Sequence, residues 1–432
     1  MSLSDTTQWS NVIGVQGRGI LNRFLDGDTT ANAELKAIVD AAISGDFDED
    51  YAGNPSADVK VTTACHMMVL AIMNRVNGMN ATDYYKSNPL NYVRLNCLIQ
   101  RMLGIERLTL CWPVYGFGAE VLGQTMIYTE DQAPGSDPGF PLLNSDNWQD
   151  MPVYDPDHPV AKIVRENLLY MAQLSGIEPV AHLPAPYSLA AEIYGQEHLI
   201  LALIEEPEFV HQLLDLIIER VLVPWCEDLH RSAPNVWLEL SDASGSPMFI
   251  GPDKFIEYAA DSVAKMITDN TWGDRVFVAN YRGDLPAGAR TRGRRKRVSN
   301  SESQMSFEKL LEAKAKCCPF YLTRLEMDIA PVEKYIDASI QRKMPLYLGI
   351  GAVRLDRNSI MDLELGKQEI YDVAKSRTIA ICNVSKALEA AGMPRSSLSW
   401  PGDIYIEDTN VNTQMDIFQA VLDGVRDGNS AV

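Results

Sequence analysis

"EEPEFVHQLLDLIIERVLVPWCEDLHRSAPNVWLELSDASG", residues 205–245, changes period partway along. In its first part apolar residues recur at Val210, Leu213, Leu214, Ile217, Ile218 and Val221, the spacing of one helix face. "NVWLEL" (235–240) then reads as a short strand, and "SDASG" stops it with turn-forming residues. A helix that leads into a buried strand, and a strand that leads into a polar loop, form half of a βαβ unit. How often that unit recurs decides the fold.

It recurs along the chain. Further strand candidates are "VKVTTA" (59–64), "RLTLCW" (107–112), "EPVAHL" (178–183), "RVFVAN" (275–280), "FYLTRLEM" (320–327), "PLYLGI" (345–350) and "SLSWPGDIYI" (397–406). Helical patterns lie between them, as in "HPVAKIVRENLLYMAQL" (158–174) and "KQEIYDVAKSRTIAICNVSKALEAAG" (367–392). Eight strands alternating with helices predict an α/β fold with a parallel sheet, and eight is the number that closes a (β/α)8 TIM barrel. An open doubly wound sheet is the alternative, but no G-x-G-x-x-G follows a strand. The reading gives one barrel over residues 58–432 and an acidic, partly helical N-terminal extension over 1–57. Residues 124–157, rich in Asp, Pro and Gly, read as an excursion between the second and third units.

The 432 residues carry a formal charge of −20 with a pI near 4.7, which argues against general nucleic-acid binding, since that needs a basic face. No apolar run is long enough for a membrane span, and the polar N-terminus shows no cleavable signal. Seven scattered cysteines without a C-x-x-C pair suggest reduced thiols in a cytoplasmic protein rather than a zinc site.

In such a barrel the residues just past each strand's C-terminal end form the active-site rim. Those positions hold Cys65 and His66; Trp112 and Tyr115; His182, Tyr187 and Ser188; Glu239, Ser241 and Asp242; Asn280, Tyr281, Arg282 and Asp284; Arg324, Glu326 and Asp328; Arg354; Trp400 and Asp403. Carboxylates, arginines and aromatic rings together suit an anionic or conjugated small-molecule substrate. A lone histidine such as His182 is more often a hydrogen-bonded core residue; Glu239 reads also as half of a structural salt bridge, and Arg324 as an internal partner of Glu326 or Asp328. Strand "VFVAN" runs into a loop carrying Arg290, Arg292, Arg294, Arg295, Lys296 and Arg297, six charges in eight residues. The functional reading of this run is an anion-attracting gate on the rim. The plainer one is a solvated loop.

Four stretches carry a resemblance: "APYSLAAEIYG" (185–195), "EEPEFVHQLLDLIIE" (205–219), "LSDASGSPMFIGPDKFIEY" (240–258) and "SWPGDIYIEDTNVNTQMDIFQAV" (399–421). Over about residues 58–427 the chain resembles the uroporphyrinogen decarboxylase superfamily, which also contains methyltransferases that serve corrinoids, thiols and tetrahydrofolate. The resemblance implies a barrel with its cleft at the C-terminal face, and a homodimer, as among relatives. The decarboxylases' R-Q-A-G-R-Y signature is absent, "GVQGRGILNRF" (14–24) being a distant echo. Trp112 and Pro113 stand in the region of their pyrrole-binding aspartate, and Glu192 near their tyrosine. Thiol-directed relatives hold zinc with H-x-C and a later cysteine, where this chain has Asn280, Arg282 and the region of Gly402. No zinc is therefore expected.

"SDASGSPMFIGPDKF" leans toward the methyltransferase side. The expected function is methyl transfer or demethylation, moving a methyl group from a small methoxylated, anionic substrate to tetrahydrofolate or a corrinoid, with a corrinoid protein as partner. The alternative is a carboxy-lyase acting on a carboxylated or tetrapyrrole-like substrate. Glu239, Asp242 or Glu326 would supply the general acid. His182, Tyr187, Asn280, Tyr281, Arg282, Arg324, Trp400 and Asp403 would bind substrate.

Overall fold

The computed structural model describes residues 9–45, 59–60, 65–105, 108, 110–130, 133–174, 179–268, 270–279, 283, 300–318, 322–324, 331–351, 355, 366–393, 397–399 and 411–430. Its strands, in chain order, are β1 (Val59–Lys60), β2 (Met126–Ile127), β3 (Gly135–Ser136), β4 (Val180–Pro184), β5 (Trp237–Ser241), β6 (Val276–Ala279), β7 (Leu322–Arg324), β8 (Leu346–Gly349) and β9 (Ser397–Ser399).

Strands β4, β5 and β6 form one parallel sheet in that order, and β1, β9, β8 and β7 form a second. Every residue of β6 and β8 is buried, the pattern of strands covered on both faces. Helices connect successive parallel strands, as the alternating periods predict. Among the described residues, no ladder joins β6 to β7 or β1 to β4. The "RLTLCW" stretch departs from expectation: residues 108 and 110–112 carry no strand. Instead the Trp112 indole N–H donates to the His182 carbonyl at 2.9 Å, so a side chain satisfies this carbonyl on β4.

The 205–229 helical pattern is resolved into pieces. One helix, Gln196–Glu205, ends as the next begins with Pro207 in its first turn, where a missing N–H costs nothing. Pro207–Ile217 widens to a π-turn at Ile218–Leu222 before continuing as Val223–Ser232. Pro224 cannot donate to the carbonyl of Arg220 four residues earlier. Tyr154 N–H takes that acceptor at 2.9 Å, and Arg220 Nη1 donates to Gln149 O and Met151 O at 3.0 and 3.1 Å. A helix defect thus secures the end of the 124–157 excursion, whose start is the antiparallel β2–β3 hairpin.

The N-terminal region contributes helices Trp9–Leu25 and Thr29–Ser44. Asp28 caps the second, accepting from Thr30 N and Ala31 N at 2.8 and 3.3 Å. Gly17 permits a close crossing over helix Pro89–Met102, because a Cβ there would lie 2.6 Å from Met102 Cα. Leu21 and Leu35 join the same hydrophobic core as Leu98 and Leu238.

Candidate active site

Parallel pairing places His182, Glu239 and Phe277 directly across from one another on β4, β5 and β6. Register partners share a face. The His182 Nδ1 and Glu239 Oε1 atoms lie 3.2 Å apart, with the two side chains 4% and 2% exposed. A charged carboxylate buried this deeply is costly without such a partner. The Trp112 ring meets His182 edge-on, with centroids 5.4 Å apart. His66 Nδ1 lies 2.8 Å from the Tyr85 hydroxyl. Burial, then the nearness of His182, pushes His66 down to about 3, so it stays neutral. Tyr92, beside Tyr84 and Tyr85, donates to the Cys111 carbonyl and ties this aromatic group to the segment that carries Trp112.

The second group surrounds Asp242, just past β5. Its backbone N–H donates to Ala279 O at 3.2 Å, which fixes the residue at the ends of β5 and β6. Ser188 Oγ donates to Asp242 Oδ1 at 2.8 Å, and Gly245 N–H donates to the same oxygen at 3.1 Å. The next residue, Ala243, donates its N–H to the Tyr115 hydroxyl at 3.0 Å. Burial raises the Asp242 carboxyl to about 6, against the opposing pull of the Ser188 and Gly245 hydrogen bonds. Burial, Asp242 and Tyr258 all raise the Tyr187 hydroxyl, which remains protonated.

Several buried atoms here find no hydrogen-bond partner among the described residues: His182 Nε2, Tyr187 Oη, Ser241 Oγ and Asp242 Oδ2. Buried polar atoms are normally paired, so each exception is a candidate contact for a polar ligand. Of the predicted residues, His182 and Glu239 face each other in the middle of β4 and β5 rather than past their ends, because the parallel register sets them opposite one another, whereas Tyr187 and Asp242 are neighbours just beyond those strands.

Arg324 belongs to a different group. Its guanidinium lies over the Tyr335 ring, 5.8 Å from the centroid. Lys314, a buried residue that sequence reasoning missed, donates to Tyr335 Oη and Thr323 O, each at 3.0 Å. Its place in the helix Asn300–Cys317 gave no signal of this bonding. The predicted Asn280, Tyr281, Arg282, Glu326, Trp400 and Asp403 lie outside the described residues, as do Arg290, Arg292, Arg294, Arg295, Lys296 and Arg297. Gly245 was also missed. The D-x-x-G spacing after a strand was its only sequence signal.

Glu192 lies on helix Pro186–Tyr194, which follows β4. Its carboxylate accepts from Ser136 Oγ at 2.6 Å, and burial raises its pKa. It anchors the β2–β3 hairpin beside the site. All seven cysteines are buried thiols. Among the described residues, no three His, Cys, Asp or Glu side chains converge to hold a metal. No described helix is long and apolar enough to cross a membrane.

No family model matches the sequence, and no curated protein is significantly similar to it. Among solved structures, the fold is similar to that of a methyltransferase from Methanosarcina mazei, with a TM-score of 0.56 over 90% of this chain and 97% of that one. The two sequences are 14% identical, so the likeness is one of fold.

Proposed function

We propose that the chain is a methyltransferase of the uroporphyrinogen decarboxylase superfamily. In this reading the two parallel sheets belong to one closed (β/α)8 barrel, and a methyl group moves from a small methoxylated substrate to a corrinoid or tetrahydrofolate acceptor without zinc. The fold likeness to a methyltransferase supports the reaction class. The observation that carries the reading is Asp242, a buried carboxyl raised to about 6 beside the Tyr187 hydroxyl, which has no hydrogen-bond partner among the described residues.

Breaking a methyl–oxygen bond leaves the bonding pair on oxygen, and an acid whose pKa lies near neutrality is best placed to protonate it. The acceptor, when bound, supplies the nucleophile for the methyl group. Asp242 holds and delivers the proton, and Tyr187 offers a second hydrogen bond to the leaving oxygen. Glu239 orients His182 against the substrate. The basic run from Arg290 to Arg297 suits, on its sequence alone, the phosphate or carboxylate tail of an acceptor.

A carboxy-lyase is the second reading, since the same protonated Asp242 would quench the carbanion left by loss of carbon dioxide. Incubation with methylcobalamin and tetrahydrofolate separately tests the first. Ligand-induced thermal stabilisation or a spectral change with one of them is expected. A protein indifferent to both contradicts methyl transfer to either acceptor.

A further inference from the structure

The hydrogen bonds to Asp242 are unevenly shared between its oxygens. Oδ1 accepts from Ser188 Oγ and Gly245 N, while Oδ2, buried as deeply, has no partner among the described residues. Ser188 is itself held. Its oxygen accepts from Ser244 N at 3.2 Å, and its single proton points to Asp242. At position 245 a Cβ would lie 2.5 Å from Oδ1, so glycine is what lets that N–H approach so closely.

We propose that Ser188 and Gly245 are positioning residues that fill Oδ1 with donors and so place the carboxyl's proton on Oδ2, the oxygen left to meet the substrate. In a carboxylic acid the carbonyl oxygen is the better acceptor and the hydroxyl oxygen the donor. Two donors on Oδ1 therefore select it as the carbonyl. The inference rests on the proposed role of Asp242 as proton donor, and it specifies the substrate group at that point. That group is a hydrogen-bond acceptor, an ether or carbonyl oxygen, rather than an ammonium.

The step balances. The carbon–oxygen bond breaks with its electron pair on oxygen, Oδ2 gives that oxygen its proton, and the methyl group passes to the acceptor. Asp242 is left as a carboxylate that Ser188 and Gly245 stabilise. It regains a proton from water. Tyr187, on the same helix as Ser188, is the titratable neighbour that faces the carboxyl, and it stays protonated throughout.

Infrared titration of protein carrying carboxyl-labelled aspartate tests this directly. The protonated band lost in Asp242→Asn is assigned to Asp242. In the native protein it should show the lowered frequency of a carbonyl that accepts hydrogen bonds. In Ser188→Ala its frequency should rise and its midpoint should move up by about one pH unit, the worth of one hydrogen bond. Ser188→Thr should restore both. An unmoved frequency and midpoint in Ser188→Ala would overturn the proposal. If that variant does not fold, a native band at the frequency of an unbonded carbonyl overturns it equally. Because the measurement reads the carboxyl and not turnover, methyl transfer absent alongside the expected band shifts would count against the proposed function alone.

Discussion

Asp242 occupies a position where burial and hydrogen bonding act against each other, and burial wins. Its folded pKa, about 6, lies above the ordinary aspartate value, so between roughly pH 4 and 6 the native state binds more protons than the unfolded chain. Stability therefore falls as pH rises through that window, and the contribution of the neutral carboxyl is fully present only below it. Asp242→Asn keeps an acceptor for Ser188 and Gly245 and removes the buried charge. The variant should be more stable than the native protein at pH 7, by on the order of 2–3 kcal/mol, and the gap should close toward pH 4. Denaturant titrations at the two pH values check this, and a constant gap would contradict it. Glu239→Gln keeps the shape beside His182 while removing the ionisable carboxyl. It should fold with little change in melting temperature and lose at least about 100-fold in turnover. Retained turnover would remove Glu239 from the chemistry. The sequence marked Glu239 as an acid at a strand end that needs a partner, and Asp242 by its place in the following loop. Which acid meets a histidine and which meets a serine was not legible, because Ser188 and Asp242 are 54 residues apart.

At the scale of elements, the site is held by close packing around β4. Helix Val114–Glu120 presses Gly118 against Pro184, the last residue of that strand, where an added Cβ would lie 2.4 Å from the proline ring. Gly118→Ala should cost about 1–3 kcal/mol through overpacking and should lower turnover by displacing the β4 end. Chemical denaturation and activity checked together would show both effects, and a neutral variant would contradict the packing account. The strand-to-helix alternation was readable because periods of about two and 3.6 residues are local properties. The Trp112 indole bonding to β4 was not, since it joins residues 70 apart. The π-turn before Pro224 was not readable either, because its other half is Tyr154, in the excursion rather than in the helix.

Across the whole molecule, two parallel sheets, a shared core and buried atoms along and just past β4 and β5 that have no partner among the described residues define the candidate site. The parallel order followed from counting strand–helix units, and the charge balance predicted only the absence of a general basic face. Arg324 shows the limit of such counting. Strand-end position placed it on the rim, whereas its ring partner Tyr335 comes from the helix Val332–Arg342 that follows β7. Methyl transfer requires that a methyl group leave the substrate while its carboxylate stays. An anaerobic single-turnover experiment with 4-methoxybenzoate, labelled distinguishably in methoxyl and carboxyl carbons, decides this in the presence of reduced corrinoid or tetrahydrofolate. Methoxyl label on the acceptor, with the carboxyl label retained in 4-hydroxybenzoate and transfer lost in Asp242→Asn, is the predicted result. Release of labelled carbon dioxide, or no transfer by the native protein, would contradict it.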